Sequence, residues 1–191
     1  VYTSYESGRP SLYLYDLIKS KQTLLMDRYS LNHGGVFSPS GKHLAFIGSK
    51  SGNSHIRLMD LSKSKKEKAL TFGHSLDVDP AFSPNGKWLA FVSGRYGNPH
   101  IFRATISADS KTKVIRLKDT NRLTYRGWYN TTPAWSPNSA NIAFSSFDND
   151  IQRFDIFVMD NVGKSLRRLT LAYGDSENPT WSPNGQLIMF N

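Results

Sequence analysis

The chain has no cysteine and none of the common catalytic motifs. With no cysteine among its 191 residues, it can form neither a disulfide framework nor a thiol site. No apolar run approaches the length needed to cross a bilayer, so no direct membrane insertion is expected. A Gly-x-Ser-x-Gly elbow, a phosphate-binding loop ending in Gly-Lys-Ser/Thr and a His-Glu-x-x-His motif are all absent from the sequence. These absences predict a protein that is not an enzyme and needs no cofactor.

Acidic residues are also few, since 15 Asp and Glu stand against 24 Lys and Arg, which gives a net charge of +9 and a pI near 9.8. Such an excess raises the question of an anionic partner. The basic residues concentrate in two stretches, Lys63–Lys68 and Lys111–Lys118. Neither stretch interleaves the aromatic side chains on which nucleic-acid bases stack. Both are therefore predicted to be solvated hairpin segments, and no nucleic-acid partner is expected.

What the chain does contain is a repeat. One pattern, an aromatic residue followed by Ser-Pro and ending in Phe, occurs four times, at Phe37–Phe46, Phe82–Phe91, Trp135–Phe144 and Trp181–Phe190. The closing phenylalanines lie 45, 53 and 46 residues apart (46 to 91, 91 to 144, 144 to 190). The start of the chain matches as well, because Tyr2–Asp16 aligns with Phe46–Asp60 at an offset of 44. Self-similarity over the whole chain predicts a repeat architecture.

Each repeat contains four short apolar segments separated by turn residues, a pattern typical of a β-propeller blade. In the second full repeat these segments are residues 80–83, 88–92, 100–104 and 114–117. The sequence therefore predicts an all-β propeller of four-stranded antiparallel blades, with residues 1–191 as a single propeller region. The predicted blades are a partial blade at 1–26, blades at 34–72, 80–124 and 133–170, and a partial blade at 179–191.

The turn after the first strand has the clearest local chemistry. In the second copy Pro84 presets φ, Asn85 can bond its own backbone, and Gly86 accepts the positive φ that closes the turn. In the third copy Ser139 replaces the glycine, which predicts a strained turn. The third period is also longer, and the extra residues are predicted to lie in the outer hairpin, between Ile106 and Leu123.

Two further sets of polar residues recur at fixed positions. Asp16, Asp60 and Asp160 end the third strand in three of the repeats, where each carboxylate is predicted to cap its own turn. One carboxylate per blade does not form a cluster, so no metal site is predicted. His55 and His100 occupy equivalent positions in two repeats, which predicts a packing role for both.

The aromatic-Ser-Pro-Asn-Gly turn, the Leu-Ala-Phe that follows it, the run Gly97–Phe102 and the terminal Leu-Thr together resemble the propeller repeats of the TolB family. The stretch Asn32–Asp60 is the most similar part. The resemblance implies a six-bladed ring preceded by a small α/β domain. Because the chain begins and ends at the same phase of the repeat, we predict a contiguous section of a larger ring. A free-standing four-bladed ring is the alternative.

The resemblance also implies a function. TolB-like proteins are non-enzymatic periplasmic proteins that bind the peptidoglycan-associated lipoprotein Pal and other Tol-system proteins. The Tol-Pal system supports outer-membrane integrity, cell division and protein transport. The alternative is a propeller that belongs to, or gates, a serine peptidase whose catalytic domain lies outside this chain, because the same repeat occurs in such propellers.

In a propeller, the loops that join the fourth strand of one blade to the first strand of the next ring one mouth of the central channel. Loops on a rigid scaffold are where binding usually resides, and Trp128 and Tyr129 supply aromatic surface of the kind enriched in binding hot spots. Alternatively, the polar residues of these loops only satisfy tight crossings between blades. The predicted partner-binding residues are Asn32, His33, Asp77, Asp79, Trp128, Tyr129, Asn130, Thr131, Glu177 and Asn178.

Overall fold

A computed structural model describes residues 1–50, 52–62, 66–109, 114–150, 152–171 and 173–191. Within these ranges the ordered structure consists of β-strands and contains no helix, and therefore no helix that could cross a membrane. Four lysines of the basic stretches, Lys63, Lys65, Lys111 and Lys113, lie outside the described residues. The chain divides into two compact units, residues 1–80 and 81–191.

The first unit contains a three-stranded and a four-stranded sheet. The three-stranded sheet has the order β1-β2-β3, and the next has the order β4-β5-β6-β7, with every pair antiparallel. Its core is built from Leu12, Met26, Leu44, Phe46 and Met59. The strands are β1 (Tyr2–Ser4), β2 (Ser11–Asp16), β3 (Lys21–Met26), β4 (Leu31–Phe37), β5 (His43–Lys50), β6 (Asn53–Asp60) and β7 (Glu67–Ala69).

Two further four-stranded sheets follow, and the boundary between the units falls inside β8, the first strand of the earlier one. These sheets have the orders β11-β10-β9-β8 and β12-β13-β14-β15, and a final pair is β16-β17. The apolar segments at the centre of the second strands are buried, with Phe91 and Phe144 each 1% exposed. The strands are β8 (Asp77–Phe82), β9 (Trp88–Ser93), β10 (His100–Ala108), β11 (Ile115–Arg122), β12 (Tyr129–Trp135), β13 (Asn141–Asp148), β14 (Arg153–Asp160), β15 (Arg167–Arg168), β16 (Thr180–Trp181) and β17 (Ile188–Met189).

The predicted all-β fold of four-stranded antiparallel sheets is confirmed. The first strands begin earlier than the predicted blade starts, at Leu31, Asp77 and Tyr129. In β4 and β12 the register shifts just before the aromatic residue of the repeat, between His33 and Gly35 and between Thr131 and Ala134. A bulge of this kind bends a strand without ending it, so pairing continues beyond the apolar segment that marks the strand in the sequence.

The predicted turn chemistry is confirmed. In the second copy Gly86 has φ +71° and donates its N–H to Ser83 O over 2.8 Å, while Asn85 Oδ1 accepts the N–H of Lys87. Ser139 forms the same turn and holds a φ of +60°, which is costly for a residue with a Cβ. Its hydroxyl accepts the N–H of Asn85 over 3.1 Å.

The predicted aspartate caps are also confirmed. Asp16 Oδ1 accepts the N–H groups of Ile18 and Lys19, each over 3.0 Å, and these bonds hold the pKa of Asp16 below its usual value. Asp60 and Asp160 accept backbone N–H groups in the same way, two residues further along the chain. The outer hairpin of the third sheet is lengthened as expected, since β11 has eight residues where β7 has three and β15 has two.

The Leu-Thr pair that ends each repeat ties the fourth strand to the third. In each of three sheets the threonine hydroxyl accepts the backbone N–H of a buried isoleucine on the third strand. Because both groups are buried, each bond satisfies a donor that water does not reach. The pairs are Ile56 to Thr71 (3.0 Å), Ile101 to Thr124 (2.9 Å) and Ile156 to Thr170 (2.9 Å).

Candidate functional site

A left-handed residue stands three positions before the aromatic residue of every repeat. Gly34, Asp79, Thr132 and Asn178 have φ values of +55°, +50°, +51° and +54°. Only glycine adopts this backbone without cost, and for a β-branched residue such as Thr132 it is a marked exception. Strained residues of this kind cluster at binding and catalytic sites. The position falls inside the crossings that were predicted to bind a partner.

A buried polar side chain stands two positions earlier in each repeat. Asn32 and Asp77 are 0% exposed, Asn130 is 1% exposed and Ser176 is 4% exposed. Three of the predicted partner-binding residues, Asn32, Asp77 and Asn130, therefore have buried side chains. Buried polar groups at a chain crossing hold the backbone in place instead of meeting a partner directly.

In the first unit, Asn32 ties the crossing into β4. Its amide nitrogen donates to Pro10 O over 3.0 Å and to Tyr29 O over 2.9 Å. The neighbouring His33 is exposed. This arrangement leaves His33 as the residue of this crossing that can reach a partner with its side chain.

The first unit also contains Asp77 and Asp79. The Oδ2 atom of Asp77 lies 3.7 Å from Nδ1 of His55, in the position of an ion pair when the imidazole is protonated. Asp79 is half-buried at its left-handed position. Asp77 thus anchors the start of β8, and Asp79 is the more accessible of the two carboxylates.

In the second unit, the crossing into β12 presents two aromatic side chains, Trp128 at 56% and Tyr129 at 40% exposure. The backbone N–H of Trp128 donates to Phe147 O over 2.8 Å. The Tyr129 ring packs edge-on against the Phe154 ring, with 6.2 Å between the ring centroids. The backbone of Trp128 and the ring of Tyr129 are therefore positioned by contacts within the chain, without a partner. Thr131, the next predicted contact, is half-buried.

Beneath this crossing lies a buried polar pair, Asn130 and His100. The Asn130 amide nitrogen lies 3.1 Å from His100 Nδ1 and donates to Arg126 O over 3.0 Å. Burial, and then the charge of Arg122, lowers the pKa of His100 to about 4. The imidazole is thus neutral near pH 7, and Nδ1 can accept from the amide. The packing role predicted for His100 is confirmed.

The next crossing of the second unit contains Glu177 and Asn178. Glu177 is half-buried and Asn178 is exposed. The backbones of Glu177 and Asn191 exchange two hydrogen bonds, of 2.6 and 3.0 Å. The Asn178 N–H donates to Ser145 Oγ over 3.0 Å. The backbone of this crossing is therefore hydrogen-bonded on both sides, and the Asn178 side chain is exposed.

The second unit thus brings together two crossings whose backbones are fixed from below and whose exposed side chains are Trp128, Tyr129 and Asn178. Sequence reasoning missed the buried layer that fixes them. A signal for this layer was present, since a small polar residue stands five positions before the aromatic in all four repeats. Among the described residues, no group of three or more acidic or histidine side chains is placed to hold a metal ion.

Sheets of four antiparallel strands joined by these repeated crossings define a β-propeller protein. The chain belongs to the family described as the TolB beta propeller domain, whose model matches residues 1–191. The resemblance noted in the sequence is thereby confirmed.

Two TolB relatives illustrate the similarity. The Tol-Pal system protein TolB of Gluconobacter oxydans is 40% identical over 189 residues, which cover 99% of this chain and 39% of the relative. The crystal structure of TolB from Acinetobacter baumannii matches with a TM-score of 0.80 and 30% identity, over 97% of this chain and 44% of that one. The chain thus spans less than half the length of these two relatives.

A peptidase also shares part of the repeat. The uncharacterized peptidase YuxL of Bacillus subtilis is 38% identical over 60 residues, which cover 31% of this chain and 9% of that protein. The similarity is therefore confined to a short stretch of repeat.

Proposed function

We propose that this chain is a non-enzymatic protein-binding propeller that acts in the periplasm as part of a Tol-Pal system. Its partners are a Pal-type lipoprotein and other Tol-system proteins, and its role is to support outer-membrane integrity and cell division. Family membership and a relative named for the Tol-Pal system support the proposal.

The observation that carries the proposal is the crossing into β12. Exposed Trp is the residue type most enriched in binding hot spots, and Trp128 is 56% exposed on a backbone already bonded to Phe147. A side chain on a pre-ordered loop loses little conformational freedom on binding. Trp128 and Tyr129 would therefore supply most of the binding energy, while exposed Asn178 would add polar contacts from the neighbouring crossing.

The test is calorimetric titration of the chain with the soluble domain of a Pal-type lipoprotein. The unaltered chain should bind with a Kd in the micromolar range or below. Trp128→Ala should weaken binding at least about tenfold, as expected when a hot-spot side chain is truncated. The matched control is Val162→Ala, an exposed apolar residue in the turn at the opposite end of the same sheet. Equal affinity in both variants would place the binding surface elsewhere.

A second candidate function is favoured by the stretch shared with the YuxL peptidase, in which this chain would gate or feed a peptidase domain. The same titration separates the two functions. If the unaltered chain does not bind the lipoprotein at all, the Tol-Pal proposal fails. The peptidase-linked propeller then becomes the better hypothesis.

A further inference from the structure

The second unit contains a cavity of about 350 Å³ beside the crossing into β12. We call it the blade slot. It is lined by residues 123–127 and Asn130 of the crossing, by side chains of β13 and β14, and by Gly163 and Leu166. Its volume lies at the lower end of the range typical of small-ligand sites. A cavity of this volume is large enough to hold a single fused aromatic ring system.

One part of the blade slot is aromatic and apolar. Phe144 and Phe157 both line it, and their rings stack with centroids 5.9 Å apart and planes inclined by 25°. Met159 and Leu123 add further apolar surface. Stacked rings and a thioether favour a flat, polarisable ligand, since aromatic pairs and sulfur-aromatic contacts add to the gain from burial.

Another part of the blade slot is polar and has an unused acceptor. The Oδ1 atom of Asn130 is buried and makes no hydrogen bond with any described residue, although the amide nitrogen of the same side chain is well bonded. Leaving a buried acceptor unpaired costs about 1–3 kcal/mol. A ligand that donated one hydrogen bond to this oxygen would remove that cost.

Gly127 packs closely beside this acceptor. A Cβ at this position would lie 3.1 Å from Asn130 Oδ1 and would overlap Ser146 Oγ. Both Gly127 and Ser146 line the slot. This part of the slot lining therefore has no room for a side chain larger than that of glycine.

The charges around the blade slot balance. Arg126 and Asp148 are its two charged lining residues, and they are of opposite sign. A ligand with a net charge would gain from one and be repelled by the other. The lining therefore favours a neutral ligand.

We propose that the blade slot binds a neutral aromatic ring that carries one N–H or O–H donor, such as an indole or a phenol. The ring packs on Phe157, the partly exposed member of the stacked pair, and the donor bonds to Asn130 Oδ1. Such a ring can come from the Trp or Tyr side chain of a peptide or from a small free aromatic compound. The proposal does not depend on the function proposed above.

The test is an NMR titration of the ¹⁵N-labelled chain with three probes: indole, benzofuran and N-acetyltryptophanamide. Indole should bind saturably, with the largest shifts at Gly127, Asn130 and Ser146. Benzofuran has the same shape without the donor, so its Kd should be about fivefold weaker, as expected for one lost hydrogen bond. Tighter binding of N-acetyltryptophanamide than of indole would identify a peptide side chain as the source, and the reverse order would identify a free compound.

Two variants place the binding in the slot. Leu166 is half-exposed and lines the slot, so Leu166→Trp should fill its opening and abolish indole binding. Val162→Trp adds the same ring at an exposed residue of the same turn that does not line the slot, and it should bind indole normally. The proposal is overturned if indole does not bind saturably, if Leu166→Trp and Val162→Trp bind it equally, or if benzofuran binds as tightly as indole.

Discussion

The hydroxyl of Ser145 accepts the backbone N–H of Asn178 over 3.0 Å. The same hydroxyl lies 2.8 Å from Thr132 Oγ1. Thr132 and Asn178 both hold the left-handed backbone that recurs in each repeat. One buried serine therefore fixes two strained residues, which belong to successive crossings of the second unit.

Replacing Ser145 with alanine should destabilise the chain by about 1–3 kcal/mol, because the N–H of Asn178 and the hydroxyl of Thr132 lose their shared partner. Urea denaturation followed by circular dichroism measures the loss. Ser107→Ala is the matched control, since Ser107 is half-exposed on the lengthened outer hairpin and surface changes usually stay within about 0.5 kcal/mol. An equal effect of the two variants would show that the shared hydroxyl does not stabilise the crossings.

His100 predicts a dependence of stability on pH. The pKa of His100 is lowered to about 4 in the folded chain, whereas an unfolded histidine titrates near about 6.5. Between these values the unfolded chain binds a proton that the folded chain does not. The free energy of unfolding should therefore fall as the pH is lowered from about 6.5 toward about 4.

The His100→Asn variant checks this dependence, because asparagine keeps a polar group near Asn130 but does not titrate. The difference in unfolding free energy between about pH 7 and pH 5 should be smaller in the variant than in the unaltered chain, since every other group titrates equally in both. Equal differences would mean that His100 is not the titrating group.

The local turn chemistry could be predicted from the sequence because the residues that cause it are distinctive. Pro84 and Gly86 restrict or permit particular φ values whatever surrounds them, and Asp16 caps a turn with its own carboxylate. The left-handed position was harder, because Gly34, Asp79, Thr132 and Asn178 share a backbone conformation but no residue type. At Gly34 and Thr132 this conformation coincides with the register shift of the first strand, which no single residue type reveals.

The candidate site could be located from the sequence but not sorted into exposed and buried groups. Trp128 and Asn130 are two residues apart in one crossing, yet one is 56% exposed and the other 1% exposed. An asparagine in a turn-rich segment suggests a solvated loop. Only the fold shows that His100 and the carbonyl of Arg126 lie within hydrogen-bonding distance of the Asn130 amide nitrogen.

The aromatic residue of the repeat also has a polar role where it is tryptophan. Trp135 Nε1–H donates to Ala81 O over 3.0 Å, and Trp181 Nε1–H donates to Ala134 O over 3.1 Å. Trp135→Phe should therefore destabilise the chain by about 1–3 kcal/mol, since a carbonyl loses its donor. The ring itself is tolerated, because Phe82 occupies the same position in the preceding repeat. Thermal unfolding measures the loss, and a melting temperature unchanged from that of the unaltered chain would contradict it.

Gly48 has no room for a side chain because Arg57 is held against it. A Cβ at Gly48 would lie 2.5 Å from Arg57 Cδ and 3.0 Å from Tyr29 Cδ2. Arg57 donates from Nε to Glu67 Oε2 over 2.7 Å, its guanidinium lies 4.5 Å from the Tyr29 ring centroid, and the Tyr29 hydroxyl donates to Glu67 Oε1 over 2.6 Å. Gly48→Ala should therefore cost about 1–3 kcal/mol through overpacking.

The cause of this cost can be separated by a double-mutant cycle with Glu67→Gln. The Glu67 carboxylate holds both Arg57 and Tyr29, and their hydrogen bonds keep the pKa of Glu67 below its usual value despite its burial. Without that charge the Arg57 side chain is freer to move away from a new Cβ. Gly48→Ala should then cost less in the Glu67→Gln background than in the unaltered chain, since residues in one network couple. Additive costs would mean that the overpacking at Gly48 does not depend on Glu67 holding Arg57 in place.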